Sequence, residues 1–153
     1  MKSWLCFLIF ALNVPHSSIE GSYVARTLNG RPVPTDLRIP MTAGDVRLFR
    51  LEQGVLHLGD DGRFTIHFRY HHQLVRRGDQ PTYAPVMSDS ESGTYKVNKG
   101  QIIFTPAKKK GARNRSPITA SFAGNDIKAT YVLQDATMHQ PINLELRRDA
   151  SFW

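Results

Sequence analysis

From Gly21 onward apolar residues alternate with polar ones, and turn residues interrupt the alternation at regular intervals. A period of two sends successive side chains to opposite faces of an extended chain, so the pattern specifies strands with one buried face. Helical periodicity is absent from the same stretch. In "FRLEQGVLHLGDDGRFTIHFRYH" the interruption is Asp60-Asp61-Gly62, a hairpin loop whose last position wants the positive φ that glycine adopts without strain. That register sets Leu58 opposite Phe64 and Leu56 opposite Ile66. "SGTYKVNKGQIIFTP" turns at Lys99-Gly100 and puts Tyr95, Val97, Ile102 and Phe104 on one face. "SPITASFAGNDIKATYVL" turns at Gly124-Asn125, and Ile118, Ala120, Phe122, Ile127, Ala129, Tyr131 and Leu133 share a face. "PINLELRR" sets Ile142, Leu144 and Leu146 against Asn143, Glu145 and Arg147. With "GSYVARTLNG" and "DVRLFRL", the pattern predicts about eight strands.

Strands with one apolar face each bury it in a closed barrel or in a two-sheet sandwich. Tight hairpins without crossovers predict an all-β, antiparallel, up-and-down barrel, which also removes free edges. Two segments break the rhythm. Residues 29–45, "NGRPVPTDLRIPMTAGD", are rich in proline and glycine and are expected to cap one end. Residues 76–92, "RRGDQPTYAPVMSDSES", read as a long polar loop and a candidate lid.

The 153 residues are most simply one domain, a barrel over 19–153 preceded by a distinct segment, 1–18. In "MKSWLCFLIFALNVPHSS" Lys2 precedes an apolar run from Trp4 to Leu12. That run is shorter than the ~20 residues of a membrane helix and matches a secretory signal, the alternative being an ordinary first helix or strand. The expectation is export, to the periplasm or beyond. Cys6 is the only cysteine, which excludes an intrachain disulfide and a multi-cysteine metal site.

The order "GSYVARTLNGRPVP", "GVLHLGDDGRFTIHF", "SGTYKV" with "IIFTP", and a closing "LELRR" resembles the small bacterial lipocalin-like (calycin-type) proteins. In these a G-x-[WY] opens the first strand, Gly-Thr-Tyr enters a middle strand and an arginine ends the last. This chain has Tyr23 where tryptophan is usual, and lacks the disulfide and C-terminal helix of classical lipocalins. The resemblance implies an interior that binds small apolar molecules. It also implies that Arg148, on the same strand face as Leu146, lies over the ring of Tyr23 and closes the barrel.

Net charge is +7, which favours acidic partners such as an anionic membrane or cell-wall surface. The basic run "KKKGARNR" (108–115), with Arg76 and Arg77, sits in loops rather than along a sheet face, and the strand aromatics point inward. Nucleic-acid binding, which pairs such charge with exposed stacking rings, is therefore not expected. His57, His67 and His71 point outward and His72 follows them. Two of these histidines on neighbouring strands can approach one metal ion, but a firm site needs three or four ligands, and Arg69 between them adds repulsion. A solvated strand face accounts for them. No nucleophile elbow, phosphate loop or HExxH occurs, so neither an enzyme nor a cofactor is expected, and the chain reads as a monomer.

An eight-stranded barrel is either just filled or has room for one small ligand. The inward set mixes Phe64, Phe68 and Phe122 with Ala25, Ala120 and Ala129, and it carries Tyr23, Tyr70, Tyr95 and Tyr131. Buried tyrosine hydroxyls need partners. Two readings stand. In one, Tyr70, Tyr95 and Tyr131, with Phe68, Phe122 and Ala129, line a site for a small hydrophobic or amphipathic ligand. In the other the core is filled, the hydroxyls reach water at the barrel ends, and the basic loops make the protein a surface-interaction module.

Overall fold

A computed structural model describes residues 18–82, 84–108, 116–134 and 139–152. Ten strands follow one another: β1 (Gly21–Leu28), β2 (Arg31–Pro32), β3 (Thr35–Pro40), β4 (Val46–Leu58), β5 (Arg63–Val75), β6 (Met87–Asn98), β7 (Gln101–Pro106), β8 (Ile118–Ala123), β9 (Asp126–Gln134) and β10 (His139–Arg148). From β4 to β10 each strand pairs antiparallel with the next, β10 pairs with β1, and β1 returns to β4. Eight strands thus form a closed, antiparallel, up-and-down barrel, with β2 and β3 added where β1 and β4 splay apart.

Turn chemistry fixes the registers. Lys99 and Gly100 both take positive φ (+47° and +79°), the type I′ geometry whose twist matches the strands on either side. Gly62, at φ +75°, ends the β4–β5 loop and restores Leu58 opposite Phe64 and Leu56 opposite Ile66. With these registers the alternating apolar residues converge. Leu28, Leu51, Leu58, Ile102, Ile127, Ile142, Leu144 and Leu146 are almost fully shielded from solvent.

The closure seam runs from Gly21 opposite Leu58 to Val24 opposite Val55. Beyond it β1 and β4 diverge, and each carries a bulge there, at Arg26 in β1 and at Glu52 in β4. A bulge bends its strand and increases the local twist. The segment 29–45, expected only to cap an end, instead supplies β2 and β3, and β3 pairs with β4 from Thr35–Leu51 to Pro40–Val46. The polar stretch 76–92 is likewise shorter as a loop than expected. Residues 87–92 belong to β6 and pair with β5, Glu91 opposite Ile66 and Asp89 opposite Phe68. "DVRLFRL" and "GVLHL" form one continuous strand, β4.

The tight turns β4–β5, β6–β7 and β8–β9 gather at one end, here the turn end. The longer connections β5–β6, β7–β8 and β9–β10 leave from the opposite, loop end. The segment expected from sequence to direct export, 1–18, lies outside the described residues except for Ser18, and so does most of the basic run, 109–115.

Candidate ligand-binding interior

At the turn end the interior is closed by aromatic packing. Tyr23 is 2% exposed, and its hydroxyl donates to the Ile19 carbonyl at 2.7 Å. Arg148 sets its guanidinium carbon 5.4 Å from the centre of the Tyr23 ring. Its Nη2 donates to the Glu20 carbonyl at 2.6 Å, to the Tyr23 hydroxyl at 3.2 Å and to the Ser18 carbonyl. The chain leading into β1 is thereby drawn across this end of the barrel. Phe64 meets Phe104 edge-on with ring centres 5.0 Å apart.

Tyr95 belongs to the same plug. Its hydroxyl donates to the Gly59 carbonyl at 2.7 Å, in the β4–β5 loop. Burial pushes its pKa above the ordinary tyrosine value, and the nearby carboxylates Glu20 and Asp61 add to the effect. Phe122 lies in this half too, opposite Ile127, with its backbone N–H on the Gly100 carbonyl at 3.2 Å.

Midway up, the wall narrows to small residues. Ala25 and Ala120 are buried, Ala129 stands between Ala120 and Leu144, and Gly54 lies opposite Phe68. Above them polar groups enter the apolar interior. Tyr131, 6% exposed, stacks at a tilt on Phe68 with centres 5.2 Å apart and donates its hydroxyl to Glu91 Oε2 at 2.6 Å. A charge-assisted bond of that length is what keeps a half-buried carboxylate tolerable among aromatic rings. Tyr70 packs on Phe49 with centres 5.1 Å apart. Arg47 shares the Phe49 face of β4 and is 8% exposed, opposite Ile39 on one side and Leu74 on the other. His72, opposite Phe49, is half-buried on the same face.

The residues proposed from sequence therefore fall into two groups. Phe68, Tyr70, Ala129 and Tyr131 occupy the half toward the loop end, whereas Tyr95 and Phe122 belong to the turn-end plug. Arg47 and Glu91 are polar groups of the interior that the sequence pattern did not single out, and His72, expected with the other histidines on a solvated strand face, faces the interior instead because it shares the parity of Phe68 and Tyr70.

The outer wall has a different character. His57 bonds Ser22 Oγ through Nδ1 at 3.2 Å, and His67 is exposed. His71 is not on a wet face, because Pro81, Thr82 and Ala84 lie over it. Its Nδ1 meets the Ala84 carbonyl at 2.6 Å and its Nε2 lies 3.3 Å from Glu52 Oε1. Arg50 donates to the same Glu52 oxygen at 2.6 Å and also reaches Asp36. The Glu52 bond first, and Asp36 second, raise the Arg50 pKa further above its already high value. A cleft of about 350 Å³ remains between this network, Leu48 and Thr82. Among the described residues, no group of three or more His, Cys, Asp or Glu side chains is placed to hold a metal ion.

No helix among the described residues is long and apolar enough to cross a membrane. The strands do not present a lipid-facing band either. Arg69, Lys96, Lys128 and Arg147 stand exposed on the outer face, where a membrane-spanning barrel carries apolar side chains. No protein-family model, curated protein or solved structure matches the chain.

Proposed function

We propose that this protein is a lipocalin-like binding protein that holds a small apolar or amphipathic molecule inside its barrel and catalyses no reaction. The observation that carries the reading is the polarity gradient along the interior. The turn end is sealed by Tyr23, Tyr95, Phe64 and Phe104, whereas Arg47, Tyr70, His72 and the Glu91–Tyr131 pair stand among apolar side chains toward the loop end. A ligand lying along that axis keeps its apolar body against Phe68, Ala129 and Leu144 and its polar group toward the loop end. Each methylene buried there is worth about 0.8 kcal/mol. A guanidinium carries five N–H donors in a fixed fork, so Arg47 can take a carboxylate or hydroxyl beside the partners it has within the protein.

Export belongs to the same proposal, supported by Lys2 and the apolar run Trp4 to Leu12. Protein recovered outside the cytoplasm should then begin at about residue 16–22, the range set by signal length.

Titration with an environment-sensitive fatty-acid probe tests the binding. Saturable binding is expected for the natural chain, with loss in a Phe68→Trp, Ala129→Leu double variant that plugs the interior. Circular dichroism of the variant establishes that the barrel still forms, and Ala129→Leu alone serves as a milder plug. Equal binding by natural and plugged chains, or no saturable binding of lipid-like probes, overturns the proposal in favour of a filled core.

A further inference from the structure

The barrel mouth at the loop end carries apolar side chains open to solvent: Leu74 and Met87 continue the inward strand faces, opposite Arg47 and Tyr70, and Val86 precedes Met87. Leu74, Val86 and Met87 are 48%, 47% and 44% exposed, and all three flank the β5–β6 connection at this end. Three such groups around one rim suit a contact surface, whereas Val97, 47% exposed, stands singly at the turn end. The connection itself begins with Arg76 and Arg77, both exposed. A tight turn, with the Asp79 N–H on the Arg76 carbonyl at 3.0 Å, holds the pair at the tip. The Arg77 N–H is bound in turn by Asp45 Oδ1 at 3.0 Å, which ties this tip to the start of β4. Arg31 and Lys108 are exposed at the same end. Among the described residues Asp79 and Asp89 are exposed carboxylates near this tip, and Asp45 lies at it. At the turn end the comparable β4–β5 loop carries Asp60 and Asp61, with Arg63 3.6 Å from Asp61.

We propose that the loop end is a docking surface for an anionic lipid bilayer, with Leu74, Val86 and Met87 entering the headgroup boundary and Arg76 and Arg77 meeting lipid phosphates. Apolar side chains flanked by guanidinium groups suit that boundary, where one group is drawn into the acyl region and the other stays at headgroup level. A polyanion in solution would satisfy the arginines but gain nothing from the three apolar side chains, which is why a bilayer is the favoured partner. The inward-facing Arg47, Tyr70 and His72 lie toward the same end, so a docked barrel would face the membrane with its polar interior. The docking itself does not depend on what the interior holds.

Co-sedimentation with vesicles of phosphatidylcholine, alone or with part of it replaced by phosphatidylglycerol, is the test. Binding is expected only with phosphatidylglycerol, weakening as salt is added. Arg76→Glu with Arg77→Glu should lower partitioning about tenfold or more. Leu74→Asp with Met87→Asp should also lower it severalfold, although these exposed sites leave the fold intact. Lys96→Glu, on the outer wall away from this end, makes the charge change of one of those two arginine substitutions and should have little effect. Three outcomes overturn the proposal: no binding to either vesicle, loss with Lys96→Glu as large as with the arginine pair, or insensitivity to the leucine and methionine changes. The last would leave a purely electrostatic contact of the kind a soluble polyanion such as nucleic acid would share.

Discussion

Arg148 lies over the ring of Tyr23, its guanidinium carbon 5.4 Å from the ring centre, and the same side chain bonds the carbonyls of Ser18 and Glu20. Tyr23 is opposite Arg148 in the β1–β10 register, so the contact joins the first and last barrel strands at the turn end. Cation–π attraction contributes about 0.5–2 kcal/mol and hydrogen bonds from a charged donor about 1.5–3 kcal/mol. Arg148→Ala should therefore destabilise the barrel by about 2–3 kcal/mol in urea unfolding. Arg148→Lys should recover only part, because the bonds leave Nη2, one bond farther out than a lysine ammonium, and an ammonium has no planar face to lie over the ring. A loss below about 0.5 kcal/mol, the level of an ordinary surface substitution, would show that closure does not depend on this arginine.

Tyr131 and Glu91 make a second prediction. They stand on β9 and β6, which are not neighbours in the sheet, so the 2.6 Å bond between them spans the interior. Residues in direct contact couple by about 0.5–3 kcal/mol. A double-mutant cycle with Tyr131→Phe and Glu91→Ala should give a coupling of about 1–2 kcal/mol by urea denaturation. Additive effects would mean the pair is incidental. Tyr131→Phe should also change affinity for a probe in the interior, since the carboxylate then turns to other donors.

Much of this was written in the alternation, and the failures have specific causes. The hairpins at Asp60-Asp61-Gly62, Lys99-Gly100 and Gly124-Asn125 were readable because their turn residues coincide with changes in the apolar pattern. The apolar pattern stops short of the start of β6 because the early inward positions are Asp89 and Glu91. "MSDSESGTYKV" does alternate strictly, with Ser88, Ser90 and Ser92 on the outer face, but an acidic inner face hides a strand from any hydrophobic pattern. Arg47 was missed for another reason. In "VRLFRL" both parities hold apolar residues and one arginine, so period two alone does not decide which arginine is buried. Only the odd spacing from Leu51 to Leu56, both buried, requires a bulge between them and marks Arg47, Phe49 and Leu51 as the inner set. His71 faces outward as its parity says, but its burial by Pro81, Thr82 and Ala84 is tertiary information that no local pattern contains.

The third prediction concerns acid. Asp126, Glu145 and Asp149 each have a pKa held below the usual carboxylate range. For Asp126 the main cause is the hydrogen bond from Arg147, whose Nε lies 2.8 Å from Oδ1, and for Glu145 it is Lys128, with Nζ 2.9 Å from Oε1. Asp149 is held down chiefly by the Ser151 hydroxyl and backbone N–H, at 2.6 and 3.0 Å. A carboxylate whose pKa is lower folded than unfolded stabilises the fold above its unfolded pKa, and that contribution disappears as pH falls through the folded value. Stability should therefore be flat near neutrality and decline as pH drops below about 4, where these groups take up protons. All three are open to solvent, so the decline should be shallow and should weaken further as salt screens the ion pairs. An Asp126→Asn, Glu145→Gln, Asp149→Asn variant should be less stable than the natural chain at neutral pH and should approach it in acid. Urea midpoints measured across pH decide the matter: parallel curves for the two proteins would show that the β9–β10 ion pairs and the Asp149 cap make no contribution to acid sensitivity.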